Sequence, residues 1–129
     1  MSVALRGKEG VLEMNYRVVE AHQSNYPKPI TIKKGTKLKV GNKYNGPENW
    51  ENWRYCYTLD NEMNGWIPEQ LLAIEDGHGT ILEDYTAKEL NVEKDEIVEG
   101  IRELNGWLWC VKLTERDEGW LPKGKLINC

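Results

Sequence analysis

Hydrophobic and polar side chains alternate in short runs along this chain. Ile30-Thr-Ile32, Leu38-Lys-Val40 and Trp107 to Leu113 follow a period of two, and β-branched and aromatic residues dominate the runs. This pattern is typical of β-strands. Gly, Asn and Asp separate the runs, as at Asn64-Gly65 and Asn105-Gly106, where turns are expected. No segment has a convincing helical period, so the pattern predicts an all-β protein built as barrels or sandwiches.

One set of residues and spacings occurs twice. The first copy reads Trp53-Arg-Tyr-Cys56 and then Gly65-Trp66-Ile67-Pro68, and the second reads Trp107-Leu-Trp-Cys110 and then Gly119-Trp120-Leu121-Pro122. The Trp-to-Cys spacing is three residues and the Cys-to-Gly spacing is nine residues in both copies. An internal repeat of this kind indicates two copies of one small unit, each of about five strands.

The repeat also predicts domain boundaries. We expect an N-terminal segment at residues 1–14, a first domain at 15–75, a short linker at 76–79 and a second domain at 80–129. Val11 to Met14 is expected to add an edge strand. Domains of roughly 50–60 residues lie near the lower size limit for independent folding, so their cores need large side chains. Six Trp and six Tyr residues supply them.

Charge is distributed unevenly along the chain. Residues 1–75 carry ten Lys/Arg against nine Asp/Glu (+1), and residues 76–129 carry seven against twelve (−5), which together give the net charge of −4. Phosphate backbones require clustered cations. The acidic second half therefore argues against a nucleic-acid partner.

The three cysteines indicate thiols rather than disulfides. Cys56 and Cys110 occupy equivalent repeat positions, Cys129 ends the chain, and no C-x-x-C pair occurs. We expect the first two to be buried free thiols. The N-terminal residues contain no apolar run of signal-peptide length, and no 18-residue apolar stretch occurs, so we expect a cytoplasmic protein without a membrane partner.

No residue set suggests catalysis or a bound cofactor. His22 and His78 are the two histidines, and neither lies at zinc-like spacing from Cys, His or carboxylate residues. The cysteines of the repeats alternate with outward-facing residues and so are expected in the core, away from a catalytic histidine. We expect no enzyme activity, no metal and no cofactor.

The order of these motifs resembles the Src homology 3 (SH3) domain, in a divergent form of the kind found in bacteria. Ile81-Leu82-Glu83-Asp84-Tyr85 resembles the Ala-Leu-Tyr-Asp-Tyr opening of that family, and Gly119-Trp120-Leu121-Pro122 resembles its Gly-Tyr-Ile-Pro segment. The first copy matches in the same way over Ile30 to Val40 and Gly65 to Pro68. The resemblance implies two small SH3-like five-stranded barrels in tandem, whose aromatic grooves recognise extended, proline-rich peptides.

The resemblance also assigns groove positions in both copies. They are Trp53, Trp66 and Pro68 in the first copy and Tyr85, Trp107, Trp120 and Pro122 in the second. Tyr44 and Trp50 lie in an extended loop beside the first groove, where exposed aromatic residues suggest ligand contact. Other groove positions depart from the family: the expected tyrosines are replaced by Glu20, His22 and Leu71 in the first copy and by Glu83 and Lys125 in the second.

These features leave three hypotheses. The first is a non-catalytic module that binds a peptide or protein, possibly proline-rich, mainly through the first copy. In the second, the protein is a structural subunit whose aromatic faces are buried between domains or in a homodimer. The third is binding of cell-wall peptide or glycan. Solvent accessibility of the indoles separates the first two, and localisation separates the third.

Overall fold

The structure, a computed structural model, describes residues 14–24, 28–43 and 52–129. Within these ranges it contains β-strands and two 3-10 helices, Glu69–Leu71 and Lys123–Lys125. The strands are β1 (Met14–Val18), β2 (Thr31–Ile32), β3 (Lys37–Lys43), β4 (Trp53–Thr58), β5 (Asn64–Pro68), β6 (Leu72–Glu75), β7 (His78–Ile81), β8 (Tyr85–Thr86), β9 (Ile97–Leu104), β10 (Trp107–Lys112), β11 (Glu118–Pro122) and β12 (Leu126–Asn128). The all-β prediction is confirmed. Of the predicted edge strand over Val11 to Met14, only Met14 lies within the described residues, and it begins β1.

The strands form two compact units. Of the described residues, 14–24 and 89–129 form one, which we call the terminal unit, and 28–43 with 52–88 form the other, which we call the central unit. This grouping differs from the boundaries predicted from the repeat. β1 precedes the first repeat but lies in the terminal unit, and β7 and β8 precede the second repeat but lie in the central unit.

The terminal unit is a five-stranded antiparallel sheet in the order β11-β10-β9-β1-β12. β1 lies between β9 and β12, with Tyr16 opposite Val98 on one side and Asn128 on the other. Alternate residues of the strands point into one core, as the period of two requires. The fully buried members of this core are Val18, Leu90, Val92, Val98, Leu108, Cys110 and Leu121.

The central unit has a five-stranded sheet in the order β5-β4-β3-β7-β6 and a two-stranded sheet of β2 and β8. β6 and β7 form a tight hairpin through Asp76 and Gly77, which both have positive φ values of 53° and 78°. Such a pair of left-handed residues is the usual turn of a two-residue hairpin. The fully buried side chains of this unit include Ile30, Leu38, Cys56, Ile67 and Ile81.

Cys56 and Cys110 are buried free thiols, as the repeat predicted. Burial raises the pKa of Cys56 to about 11 and that of Cys110 to about 12, because an apolar environment disfavours the thiolate. Cys129 is exposed. Within the described residues, no helix has the length and apolar character needed to cross a bilayer.

Candidate functional site

In the central unit, aromatic residues share the outer face of β4 and β5. Cys56 points into the core, so Trp53 and Tyr55 point to the opposite side of β4. Trp53 lies directly opposite Pro68, and Tyr55 lies directly opposite Trp66. Directly opposed residues of an antiparallel pair share a face, so these four side chains form one surface.

Tyr85 joins this surface from β8. Its hydroxyl donates a hydrogen bond of 3.1 Å to the main-chain carbonyl of Trp66, and its side chain is buried. This bond ties the opening segment of the second repeat to the strand that carries Trp66 and Pro68. We call Trp53, Tyr55, Trp66, Pro68 and Tyr85 the central aromatic cluster.

Edge-to-face ring contacts join Tyr55 of the cluster to its aromatic neighbours. The Tyr55 and Trp66 rings are 5.0 Å apart at an interplanar angle of 79°, and the Tyr55 and Tyr57 rings are 5.3 Å apart at 71°. Each such pair contributes roughly 0.5–1.5 kcal/mol beyond the area that it buries. The Tyr55 hydroxyl also donates to the Asn64 side-chain oxygen. The accessible part of the cluster is formed by Trp53, Tyr55 and Trp66, which are partly exposed, whereas Pro68 is fully buried and Tyr85 is 7% exposed.

The indole N–H of Trp53 has no hydrogen-bond acceptor among the described residues, although it is shielded from solvent. Leaving a buried donor unpaired costs about 1–3 kcal/mol. A rearrangement that exposes this N–H to a ligand carbonyl would therefore recover free energy. Trp53 itself is partly exposed.

Charged residues fix the end of the strand that carries Pro68. Glu69, the first residue of the 3-10 helix, accepts a 2.8 Å hydrogen bond from Arg54 Nε, and Arg54 Nη1 donates to the Gly41 carbonyl at 2.9 Å. The Glu69 amide donates to the Asn52 carbonyl at 2.7 Å. These bonds position Pro68 opposite Trp53.

The corresponding region of the terminal unit contains a polar network. His22 Nε2 lies 2.7 Å from Glu89 Oε1, and His22 Nδ1 lies 3.0 Å from Lys125 Nζ. Since an ammonium group only donates, Nδ1 is the acceptor and Nε2 carries the hydrogen that Glu89 accepts. Lys125 also lies 3.8 Å from Glu20. We call Glu20, His22, Glu89 and Lys125 the terminal polar cluster.

This cluster lies against the aromatic residues of the terminal unit. The His22 ring meets Trp107 edge to face at 5.9 Å, and Trp107 lies opposite Pro122. Trp107 is 8% exposed and Trp120 is 9% exposed. The Trp109 ring stacks edge to face on Trp120 at 5.3 Å. Trp107 and Trp120 are therefore covered, whereas their counterparts Trp53 and Trp66 in the central unit are partly exposed.

The structure brings the predicted site residues together in two groups. Trp53, Trp66 and Pro68 lie on one strand face, with Pro68 fully buried, and Tyr85 joins them rather than Trp107, with which the sequence had grouped it. Trp107, Trp120 and Pro122 lie together in the terminal unit. Tyr44 and Trp50 fall outside the described residues. Sequence reasoning missed the contact of Glu89 with His22, and no spacing signal could have revealed a pair 67 residues apart.

Comparison with known proteins identifies a family model that matches part of the chain. Residues 15–75 match the family model of the variant SH3 domain, a class of domain that typically binds peptides or proteins without catalysis. No curated protein and no solved structure matches the chain significantly. The matched segment runs from β1 to β6, so it combines a strand of the terminal unit with most of the central unit. No group of three or more His, Cys, Asp or Glu side chains in the described parts of the chain is arranged to hold a metal ion.

Proposed function

We propose that the protein is a non-catalytic binding module and that the central aromatic cluster takes an extended segment of a partner protein. The observation that carries this proposal is the pairing of Trp53 with Pro68, beside a Tyr85 that is fixed by its bond to Trp66. These residues keep three of the positions from which an SH3 groove is built. The match of residues 15–75 to the variant SH3 domain supports the same class of function.

The chemistry of the cluster favours a proline-rich ligand. Proline rings present flat apolar faces, and a polyproline II segment is already extended, so little conformational entropy is lost when it docks. Such a segment has carbonyl groups that no internal hydrogen bond occupies. One of them would accept a hydrogen bond from the Trp53 indole N–H, which has no acceptor among the described residues, in a conformation that opens this group to the ligand.

The terminal unit is the weaker candidate for the same activity. Lys125 bonds to His22 and forms an ion pair with Glu20, and all three residues stand where a groove would present tyrosines. A ligand would have to replace those contacts with equally good ones, and unpaired charges are costly to desolvate. Trp107 and Trp120 are more deeply buried than Trp53 and Trp66, which favours a structural role for this face.

The test is a matched pair of substitutions, Trp53→Ala and Trp107→Ala, with affinity for a proline-rich peptide measured by titration. Trp53→Ala is expected to weaken binding by about 30-fold, the loss of a typical interface anchor. Trp107→Ala should leave the affinity of the folded protein unchanged. Unchanged affinity in folded Trp53→Ala would overturn the proposal.

Trp53→Phe separates the ring from the N–H. Because phenylalanine retains a flat apolar ring and lacks the donor, we expect it to recover part of the affinity that alanine loses. Full recovery would show that the indole N–H takes no part in binding. The thermal unfolding midpoint of each variant shows whether the central unit is still folded.

A further inference from the structure

Strands β1 and β7 occupy equivalent places in the two units. β1 pairs with β9 and β12, with Tyr16 opposite Val98 and Asn128, whereas β7 pairs with β3 and β6, with Gly79 opposite Leu38 and Ile74. The repeat makes β9 the equivalent of β3 and β12 the equivalent of β6. We call β1 and β7 the opening strands, because β1 precedes the first repeat and β7 precedes the second. Each unit therefore contains the opening strand that precedes the other repeat.

The terminal unit has a large side chain, Tyr16, on its opening strand and a glycine, Gly100, at the position of β9 that the Tyr16 ring meets. A Cβ atom added to Gly100 of β9 would lie 2.7 Å from Cε1 and 3.1 Å from Cδ1 of Tyr16. Real Cβ atoms do not approach so closely, so the Tyr16 ring occupies the space that any side chain at position 100 would need. Tyr16 is buried in this place.

In the central unit these sizes are reversed. The position equivalent to Tyr16 is Gly79 of β7, and the position equivalent to Gly100 is Val40 of β3. A Cβ atom added to Gly79 would lie 2.9 Å from Val40 Cγ2 and 3.3 Å from Leu72 Cδ2. Here the facing strand supplies the side chain and the opening strand supplies the space.

We infer that these reciprocal sizes select the exchange of opening strands, so that β1 closes the terminal unit and β7 closes the central unit within one chain. If each repeat paired with its own opening strand, the Tyr16 ring would meet the Val40 side chain, and Gly79 would lie beside Gly100. The first pair overfills its core and the second leaves a cavity, and both defects destabilise a close-packed interior. The exchanged arrangement removes both.

The exchange also decides which residues meet in each candidate site. The chain that follows β1 brings His22 to Trp107, and the chain that follows β7 brings Tyr85 to Trp66. A repeat taken together with the opening strand that precedes it therefore does not contain all the strands of either unit. This inference rests on packing and does not depend on the proposed function.

Engineered disulfides in the full-length chain test the pairing. In a Cys129→Ser background, the pairs Asn15→Cys/Glu99→Cys and His78→Cys/Lys39→Cys join residues that are direct partners in the exchanged register. The control pairs, Asn15→Cys/Lys39→Cys and His78→Cys/Glu99→Cys, join the partners that sequential closure would create. We expect rapid oxidation within one chain for the first two pairs and none for the controls.

Two outcomes would overturn the inference. Oxidation of the control pairs alone would show that each repeat closes on its own strand. Disulfides between two chains, visible as a dimer on a non-reducing gel, would show that opening strands are exchanged between copies rather than within one.

A size-rescue experiment tests the steric reason. Gly79→Ala is expected to lower the thermal midpoint by about 5–10 °C because its Cβ meets Val40, and added Val40→Ala should recover part of that loss. Val40→Ala should not rescue Gly100→Ala, whose Cβ meets Tyr16 instead. Rescue of Gly100→Ala with no rescue of Gly79→Ala would contradict the inference.

Discussion

The central and terminal units place different chemistry at the same positions of a shared β plan. Trp53 and Pro68 of the central unit correspond to Trp107 and Pro122 of the terminal unit, and each pair lies opposite across two strands. Beside the first pair the chain places Tyr85, a buried aromatic residue that donates a hydrogen bond to the Trp66 carbonyl. Beside the second pair it places His22 within a hydrogen-bonded polar network. The comparison teaches that one strand arrangement carries a partly exposed aromatic face, our proposed binding surface, in one unit and a hydrogen-bonded polar network in the other.

The largest difference between the units in the cost of a substitution to the free energy of unfolding is expected at two equivalent glycines, Gly119 and Gly65. A Cβ atom at Gly119 would lie 2.8 Å from the Leu90 amide nitrogen and 2.9 Å from the Glu89 carbonyl carbon, which are backbone atoms. At Gly65 it would lie 2.9 Å from Ile30 Cγ2, a side-chain methyl group. Since backbone yields less than a side chain, Gly119→Ala should cost about 3 kcal/mol and Gly65→Ala about 1 kcal/mol of unfolding free energy. Urea denaturation measures both, and equal costs would contradict the contrast.

The next largest effect is expected at His22. His22→Ala removes the ring that bonds both Glu89 and Lys125, and it leaves two charges that are only 13% and 26% exposed without this partner. We expect a loss of about 2–3 kcal/mol in unfolding free energy. Denaturation at neutral pH measures this loss. A cost below about 0.5 kcal/mol, the usual effect of an ordinary surface change, would mean that the network does not stabilise the terminal unit.

Tyr85 is the residue equivalent to His22 in the central unit, and its substitution should have a smaller effect. Tyr85→Phe keeps the ring and removes the hydroxyl that bonds the Trp66 carbonyl, so about 1 kcal/mol of stability should be lost. Affinity for a proline-rich peptide should fall only a few-fold, since the surface keeps its shape. A larger cost than that of His22→Ala would reverse the order that the structure predicts.

The smallest difference concerns the equivalent thiols. The pKa of Cys110, at about 12, is higher than that of Cys56, at about 11, because Cys110 is more strongly desolvated. Both pKa values exceed the ordinary value of about 9, so the folded state keeps these thiols protonated where the unfolded state would ionise them. The free energy of unfolding should therefore fall as pH rises above about 9. Alkylation at pH 8 followed by mass spectrometry should label Cys129 first, then Cys56, then Cys110. Labelling of Cys110 before Cys56 would contradict this order.

Local features of the fold were predictable from the sequence, whereas the partners of distant segments were not. Alternation along β4 and β10 correctly placed Cys56 and Cys110 in the cores and the neighbouring tryptophans on the outer faces. The exchange of β1 and β7 has no local signal. It depends on the fit of Tyr16 to Gly100 and of Val40 to Gly79, which becomes apparent only once the strands are paired.

The candidate site shows the same division. Trp53 opposite Pro68 follows from strand register inside one repeat, so the sequence could predict it. The positions of Tyr85 and His22 depend on which unit each opening strand closes, and Lys125 reaches His22 across 103 residues of sequence. Hydrophobic periodicity does not encode such long-range pairs. The ligand contacts predicted for Tyr44 and Trp50 stay predictions.

The most direct test of the contrast between the units is a ¹H–¹⁵N NMR titration of the indole N–H signals with a proline-rich peptide. The Trp53 signal should shift most, because this N–H gains the acceptor that it lacks within the described structure, and the Trp66 signal should shift with it. The signals of Trp107, Trp109 and Trp120 should stay in place. Shifts confined to those three, or no shift at all, would contradict a binding surface on the central unit.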